Sequence, residues 1–262
     1  MQNFKKSFRR EIRELKLLFA SIPAPMFTAF AVSVIVMNLL ANKSIDLPVS
    51  WLALDCGFIV SWISFLSMDV ITKHFGPKAA TQVSVAAVLT NLAVCLLFFA
   101  ASKIPGVWGE SYVAGSESII NAALDNTFGG TWYVLLGSTT AFLLSAVVNN
   151  FLNFAIGRLF RKNPDGFAAY AMRTYISTAI GQLADNLTFA LIVSKVFFGW
   201  SLTQCITCSI VGMLAELLCE VIFSPVGYSV CRRWKRDGVG KAYLDYIAKL
   251  TCGYWLRVHQ TE

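Results

Sequence analysis

Residues 79–101 read AATQVSVAAVLTNLAVCLLFFAA, a run of 23 residues without a charged side chain. The hydrocarbon core of a bilayer is about 30 Å thick, and an α-helix of roughly 20 apolar residues crosses it. Backbone groups in lipid must form hydrogen bonds within their own segment, so a run of this kind is expected to be helical. The stretch therefore predicts a transmembrane helix.

Five other segments are apolar over a similar length, and the composition of the whole chain agrees with them. Of the 262 residues, 56% are hydrophobic and 14% are charged, whereas soluble domains contain about 25% charged residues. The sequence predicts an all-α polytopic membrane protein, with one six-helix transmembrane domain over residues 23–230. The other five spans are expected at about 23–41, 51–70, 132–160, 168–198 and 202–228.

The lysines and arginines flank the apolar segments and do not form one continuous basic face. With the N-terminus in the cytoplasm, all but four of the 22 basic residues fall on the cytoplasmic side, the four being Lys43, Lys103, Arg173 and Lys195. This distribution follows the positive-inside rule. We therefore predict a multi-pass protein of the cell (inner) membrane with both termini in the cytoplasm. The net charge of +7 is attributed to topology and not to nucleic-acid binding.

Three segments lie outside the predicted spans. Residues 1–22 carry apolar side chains at three- and four-residue spacing between basic residues, which predicts an amphipathic helix on the cytoplasmic membrane surface. Residues 102–131 form a long connection, expected to cover an outward-facing cavity. Residues 231–262 form a basic cytoplasmic tail with a second interfacial helix.

The sequence contains none of the common catalytic or metal-binding motifs. Cys205 and Cys208 form a Cys-x-x-Cys pair, but no second pair and no nearby histidine accompanies it to complete a zinc site. Hydrolase, phosphate-loop and dinucleotide fingerprints are absent from the sequence. We expect no metal and no cofactor, and we expect a transporter, not an enzyme.

Polar residues are concentrated in the last three predicted spans. An ionisable group at mid-membrane costs about 2.5 kcal/mol or more, so it is usually retained for a cavity, a partner or a ligand. Asp185 and Glu216 lie near the centres of spans five and six. Gln182, Asp185, Asn186 and Phe189 share one helical face because their offsets are three, four and seven residues. Amides and carboxylates at this depth predict a pocket for a polar, planar ligand.

Other polar residues have a structural alternative. Asn149, Asn150 and Asn153 lie within one turn of span four, where they either line the pocket or join neighbouring helices. Arg173 either extends to the cytoplasmic interface or pairs with Glu220.

Two acidic positions raise the question of proton coupling. Glu216 and Glu220 are one helical turn apart, a spacing that predicts a coupled pair of titrating groups. Glu220, Arg173 and Asp69 are therefore candidates for proton coupling or for helix pairing. Asp69 also stands at the cytoplasmic turn after span two, where a capping aspartate is the simpler interpretation.

Four groups of residues, spread along most of the chain, resemble the motifs of a known family. The first is Asn38-Leu-Leu-Ala-Asn42-Lys43 at the end of span one, and the second is Asp69-Val-Ile-Thr72-Lys73-His-Phe-Gly76 followed by Lys78-Ala79. The third is Arg173 and Ser177 with Gln182-Leu-Ala-Asp185-Asn186 and Phe189, and the fourth is Glu216 followed by Pro225. In these residues the chain resembles the queuosine precursor transporters, also called the vitamin uptake transporter family. The fold of that family is related to the substrate-binding components of energy-coupling-factor importers. Lys73 departs from the pattern because a glutamate is usual there, and Asn186 because threonine is common.

The resemblance implies import of a 7-deazaguanine-type base, either the cyano or aminomethyl precursor or queuine. The expected substrate-binding residues are Glu216, Asp185, Gln182, Asn186, Asn150, Asn149, Phe189 and Asn38. A carboxylate of Glu216 or Asp185 would accept the adjacent N–H donors of a guanine-type edge. An amide of Gln182, Asn186 or Asn150 would donate to the carbonyl, and Phe189 would pack on the ring.

Three rival functions stay open. The first is import of another flat vitamin or nucleobase. The second is a substrate-binding component that docks onto an ATP-driven energising module, and the third is a membrane enzyme. The expected partners are a small-molecule base and the lipid bilayer, with a homodimer or an energising module as further alternatives.

Overall fold

The structure, a computed structural model, describes residues 2–45, 48–52, 54–107, 117–129, 132–160 and 165–258. No β-strand occurs within these ranges, and Ser44 and Asp55 form an isolated antiparallel bridge. The prediction of an all-α protein is confirmed for this part of the chain. The predicted connection over 102–131 falls partly outside the described residues, as does the end of the tail.

The described residues form ten α-helices. They are α1 (Gln2–Ser21), α2 (Ala24–Leu40), α3 (Phe58–Phe75), α4 (Pro77–Ala101), α5 (Glu117–Gly129), α6 (Trp132–Gly157), α7 (Phe167–Phe189), α8 (Lys195–Phe197), α9 (Leu202–Asp237) and α10 (Lys241–Val258). A π-helical turn over Ala190–Ser194 joins α7 to α8.

Several helices have the length and apolarity of membrane spans. Four qualify, namely α4, α6, α7 with its continuation to Phe197, and α9. A fifth is counted if α1 and α2, which meet at an angle of 102°, are taken as one bent span. The protein is therefore a multi-pass helical membrane protein. Length and composition alone do not confirm the predicted number of six spans in the described residues.

Two predicted spans differ from the helices that the structure shows. The second was expected to begin at residue 51, but α3 begins at Phe58, because Asp55 pairs with Ser44 and the two residues that follow Asp55 form a turn. The sixth was expected to end at residue 228, but α9 continues to Asp237 and ends at Gly238, whose φ of 64° favours glycine. The other four agree within three residues at each end.

Pro225 lies inside α9 and does not end it. Proline has no N–H, so the Val221 carbonyl one turn earlier loses its helical donor. Ser224 Oγ donates to that carbonyl at 3.1 Å and replaces the missing bond. The helix can therefore run on past the proline toward the basic residues at its end.

Helix α3 lies in the interior of the bundle, in contact with α2, α4, α6, α7 and α9. Its residues Phe65, Met68 and Ile71 are fully buried. In contrast, leucines such as Leu96 and Leu97 on α4 are about two-thirds exposed, as expected of a face that meets lipid.

The bundle has two distinct ends. Helices α3 and α9 run in parallel, since Ser61 contacts Glu216 and Cys231 contacts Val70 further along. We call the end with residues 43–57 the loop end. The opposite end, where α3 and α9 finish in basic residues and where α1 packs against α10, is the basic end.

Candidate functional site

A cavity of about 40 Å³ lies between α2, α3, α6, α7 and α9, close to the loop end. We call it the central cavity. A water molecule needs roughly 10–15 Å³ of such space, so the cavity has room for about three. Its polar lining consists of Asn38, Asp55, Ser61, Ser138, Asp185, Asn186, Cys208 and Glu216.

Glu216 is the most deeply buried carboxyl group of this lining, with 1% of the residue exposed. Ser61 Oγ on α3 donates a hydrogen bond to its Oε1, and Asn186 Nδ2 on α7 donates to its Oε2 at 3.2 Å. Neutral donors on two other helices therefore satisfy both oxygens. No lysine or arginine of the described ranges forms a salt bridge with Glu216. Such a buried carboxyl group is costly and is typical of a ligand site.

Gly212 makes the contact between α7 and α9 possible. It lies one turn before Glu216, on the face of α9 that meets Asn186. A Cβ at Gly212 would stand 2.9 Å from Asn186 Nδ2, closer than ordinary van der Waals contact allows. The glycine therefore gives the amide room to reach Glu216.

Helix α6 supplies hydrogen bonds to two other polar groups of the wall. Ser138 Oγ donates to Asn38 Oδ1 on α2. Ser145 Oγ donates to Asp185 Oδ1 on α7 at 3.1 Å. These two bonds orient the amide of Asn38 on α2 and the carboxyl group of Asp185 on α7.

Asp55 reaches the central cavity from the loop between α2 and α3. The bridge with Ser44 is held by Cys56 N to Lys43 O at 2.8 Å and Ile45 N to Leu54 O at 2.7 Å. The Asp55 carboxylate also accepts from Gly57 N at 2.7 Å. The short bridged segment thus places a third carboxyl group at the cavity, from outside the helices.

Phe189 lines the central cavity at the point where α7 passes into the π-helical turn. Single π-helical turns within α-helices are frequently found at functional sites. A π-helical turn contains one more residue than an α-helical turn, so the side chains after it point in a different direction than they would in a continuous α-helix. Phe189 is the residue directly before this turn.

A second polar cluster lies nearer the basic end, around Asp69 on α3. Its Oδ1 accepts from Asn149 Nδ2 and from Asn153 Nδ2, both at 2.9 Å, and its Oδ2 accepts from Thr178 Oγ1 at 3.2 Å. Arg173 Nε donates to Asn153 Oδ1 at 2.7 Å, and its charge interacts with that of Asp69. We call these five residues the Asp69 network. It joins α3, α6 and α7 across the bundle.

Three predicted residues lie in neither group. Asn150 accepts from Thr72 at 3.0 Å and donates to Thr81 at 3.2 Å, and so joins α6 to α3 and α4. Gln182 and Glu220 are fully buried, and neither terminal atom of either side chain has a hydrogen-bond partner within the described part of the chain.

The predicted site residues therefore divide into separate groups. Asn38, Asp185, Asn186, Phe189 and Glu216 line the central cavity, whereas Asp69, Asn149 and Arg173 belong to the Asp69 network. Of the two glutamates that are one helical turn apart, Glu216 lines the central cavity and Glu220 is not part of its lining. Arg173 donates to Asn153 and not to Glu220.

Four polar residues of the lining were not expected from the sequence, namely Asp55, Ser61, Ser138 and Cys208. A signal for one of them existed, because Ser61, Ser64 and Ser67 recur every three residues along α3 and are all buried. Within the described ranges, no three His, Cys, Asp or Glu side chains are placed to hold a metal ion.

The basic end contains a larger cavity of about 570 Å³, lined by Lys73, His74, Arg232, Lys235 and Arg236 together with Asp165. Asp165 forms salt bridges with Lys235 and, at 3.7 Å, with Lys73. The Lys235 ammonium beside it holds the pKa of the Asp165 carboxyl below its usual value.

Comparison with known proteins identifies a family for the chain. A family model described as "putative vitamin uptake transporter" matches residues 55–230. The matched region contains α3 to α8 and α9 as far as residue 230, and with them every polar lining residue of the central cavity except Asn38. No curated protein and no solved structure shows a significant match to the chain.

Proposed function

Since the chain belongs to the vitamin uptake transporter family, we propose that it imports a queuosine precursor, a 7-deazaguanine-type base, through the central cavity. Family membership concerns membrane uptake in general. The choice of substrate rests on the chemistry of the cavity walls.

The observation that carries the proposal is the environment of Glu216. Its two oxygens accept hydrogen bonds from Ser61 and Asn186, and both donors are neutral. A guanine-type edge presents two adjacent N–H donors, from the ring N1 and the exocyclic amine, that match the two oxygens of one carboxylate. The base would take the places of the hydroxyl and the amide, so no buried acceptor loses its partner.

Other groups of the lining suit the rest of such a ligand. Asn186, once released from Glu216, has an N–H donor for the carbonyl of the base. The Oδ1 of Asn38 already accepts from Ser138, so Asn38 offers its amine side to a ligand. Phe189 provides an aromatic face for the ring.

The cavity must widen before a base can enter. Its volume of about 40 Å³ is far below the roughly 300–1,000 Å³ of sites that enclose small-molecule ligands. We propose that displacement of Phe189, which lines the cavity next to the π-helical turn, contributes to this widening. In this proposal the structure represents a contracted state of the importer.

The proposal includes six spans, with α2 and α3 added to the four long helices. At 1.5 Å per residue, the 17 residues of α2 and the 18 of α3 extend over about 25 Å, close to the thickness of the hydrocarbon core. Asp69 does not argue against α3 as a span because the side chain faces the Asp69 network and not lipid. With six spans, the charge distribution supports the proposal that both termini and the basic end lie in the cytoplasm, in a protein of the inner membrane.

The test is rescue of queuosine in tRNA. Cells that can neither make nor import the precursors would express the chain and be fed each base in turn, and tRNA queuosine would be measured by mass spectrometry. Wild-type protein is expected to restore queuosine, and Glu216→Ala is expected to abolish the rescue. Glu11→Ala, a change at the surface helix α1, is the matched control. Rescue by Glu216→Ala at the same protein level would contradict the proposal.

Spheroplasts that carry this protein alone would separate an independent transporter from a component of an ATP-driven importer. Uptake without any partner is expected. Binding without uptake would indicate a binding component that needs an energising module.

A further inference from the structure

The charged groups at the central cavity all have the same sign. Asp55, Asp185 and Glu216 line it, and none of the described lining residues is a lysine, arginine or histidine. The three carboxyl groups are close to one another, since all three line the same cavity of about 40 Å³. Such a cavity favours a ligand that brings positive charge and hydrogen-bond donors into it.

The three carboxyl groups do not have equivalent surroundings. Glu216 receives side-chain donors at both oxygens. Asp185 receives one side-chain bond, from Ser145 to Oδ1, and Asp55 receives its bond from the backbone of Gly57. The two aspartates therefore keep more capacity to accept hydrogen bonds from a ligand than Glu216 does. They approach from different directions, one from α7 and one from the loop before α3.

The candidate bases differ in the group at the 7-position, on the far side of the ring from the guanine-type edge. A nitrile ends in a nitrogen that only accepts hydrogen bonds, and it would meet carboxylate lone pairs. An aminomethyl group is an ammonium at neutral pH, with three N–H donors and a positive charge, like a lysine side chain. Burying that charge is favourable where carboxylates surround it and costly elsewhere.

We infer that Asp185 and Asp55 determine the specificity of the site and select a base that carries an ammonium group over one that carries a nitrile. This inference rests on the proposed function and adds to it the choice of substrate. In the bound state Glu216 holds the guanine-type edge, and the two aspartates accept from the ammonium. Queuine, whose side chain contains a secondary amine, satisfies the same requirement.

The test compares initial uptake rates of the aminomethyl and cyano bases at equal concentration, in cells that neither make nor otherwise import them. Wild-type protein is expected to take up the aminomethyl base at least tenfold faster. Asp185→Asn and Asp55→Asn, which remove charge but keep shape, are expected to lower only the aminomethyl rate and so bring the ratio toward one. Glu216→Gln is expected to lower both rates. Asp237→Asn, at the exposed end of α9, should change neither.

The outcomes separate the inference from the proposed function. If the wild-type protein takes up both bases equally, or if the aspartate variants lower both rates in parallel, the inference is wrong although import of a 7-deazaguanine stands. If neither of these bases nor queuine enters, the proposed function itself fails. Protein levels in the membrane would be measured for each variant. Asp55 lies in the loop before α3, so Asp55→Asn keeps the inference testable if Asp185→Asn disturbs the packing of α7.

A binding measurement gives a second reading that does not depend on transport. Purified wild-type protein in lipid nanodiscs should show a larger increase in melting temperature with the aminomethyl base than with the cyano base. The difference should shrink in Asp185→Asn. An equal increase with both bases in the wild-type protein would overturn the inference.

Discussion

Asn186 on α7 donates from Nδ2 to Oε2 of Glu216 on α9 at 3.2 Å, and this bond closes the central cavity between two helices that pack closely along their length. A ligand that binds Glu216 must displace the amide. The bond therefore marks the point where substrate binding and helix separation would be coupled.

The first prediction concerns the glycine that permits this bond. Gly212→Ala would place a methyl group 2.9 Å from Asn186 Nδ2 and push the amide off Glu216. In the proposed complex the released amide donates to the carbonyl of the base, and the methyl group would occupy the space that the amide needs for this. We therefore expect uptake to lose about tenfold in apparent affinity, on the order of 1.4 kcal/mol. Gly106→Ala, where a Cβ meets no atom within 4 Å, is the control. Unchanged concentration dependence of uptake in Gly212→Ala would remove the role assigned to this contact.

The second prediction uses the buried thiol of Cys208, which lines the central cavity. In a variant whose other cysteines are replaced by serine or alanine, a small membrane-permeant thiol reagent should modify Cys208 only when the cavity widens. Saturating base should slow the modification, because the ligand occupies the space in front of the thiol. Mass spectrometry of the labelled protein measures the rate.

Cys231 provides the comparison for this experiment. It is also buried, but it lies at the basic end and contacts Val70 O. A variant that retains Cys231 should be modified at a rate that the base does not change. Equal protection of both thiols would indicate a general tightening of the bundle and not occupancy of the central cavity.

How far the sequence could predict this site depends on the kind of information required. The lengths of the apolar segments and the positions of the basic residues predict four of the six spans to within three residues of the helices observed. Helical spacing correctly predicts that Asp185, Asn186 and Phe189 lie on one face. Spacing along one helix does not show which residues of that face lie at the central cavity and which pack against a neighbouring helix. Gln182 shares the face but is packed outside the cavity lining, without a hydrogen-bond partner among the described residues.

Partners on other helices were beyond prediction for the same reason. Ser61 and Ser138 acquire a role only when α3 and α6 are set against Glu216 and Asn38. Asp55 was counted within an apolar segment, and its place at the cavity depends on the bridge with Ser44, a long-range pairing that no local pattern encodes.

The third prediction concerns Gln182, whose amide is fully buried. An unpaired buried amide costs about 1–3 kcal/mol by mutational measures, so Gln182→Leu, which is similar in volume, should unfold at a temperature equal to or above that of the wild-type protein. Gln204→Leu is the opposite case and should lower the melting temperature, because Gln204 Oε1 accepts from Ser201 N at 2.9 Å in the capping box of α9 and Nε2 donates to Ser50 O at 3.0 Å. A clear fall in melting temperature for Gln182→Leu would mean that the amide is hydrogen-bonded in the folded protein.

The fourth prediction tests the Asp69 network. Asp69→Ala would remove the acceptor of three side-chain donors and the negative charge that faces Arg173. Leaving a buried donor without its acceptor typically costs about 1–3 kcal/mol, and with three donors affected we expect a decrease of that order or more in the free energy of unfolding in detergent. The double variant Asp69→Ala with Arg173→Ala should be less destabilised than the sum of the single variants, because the unpaired cation is gone as well. Strict additivity of the two single variants would mean that Asp69 and Arg173 do not interact with each other. Asn153, which contacts both residues, would then be the residue that joins α6 to α3 and α7.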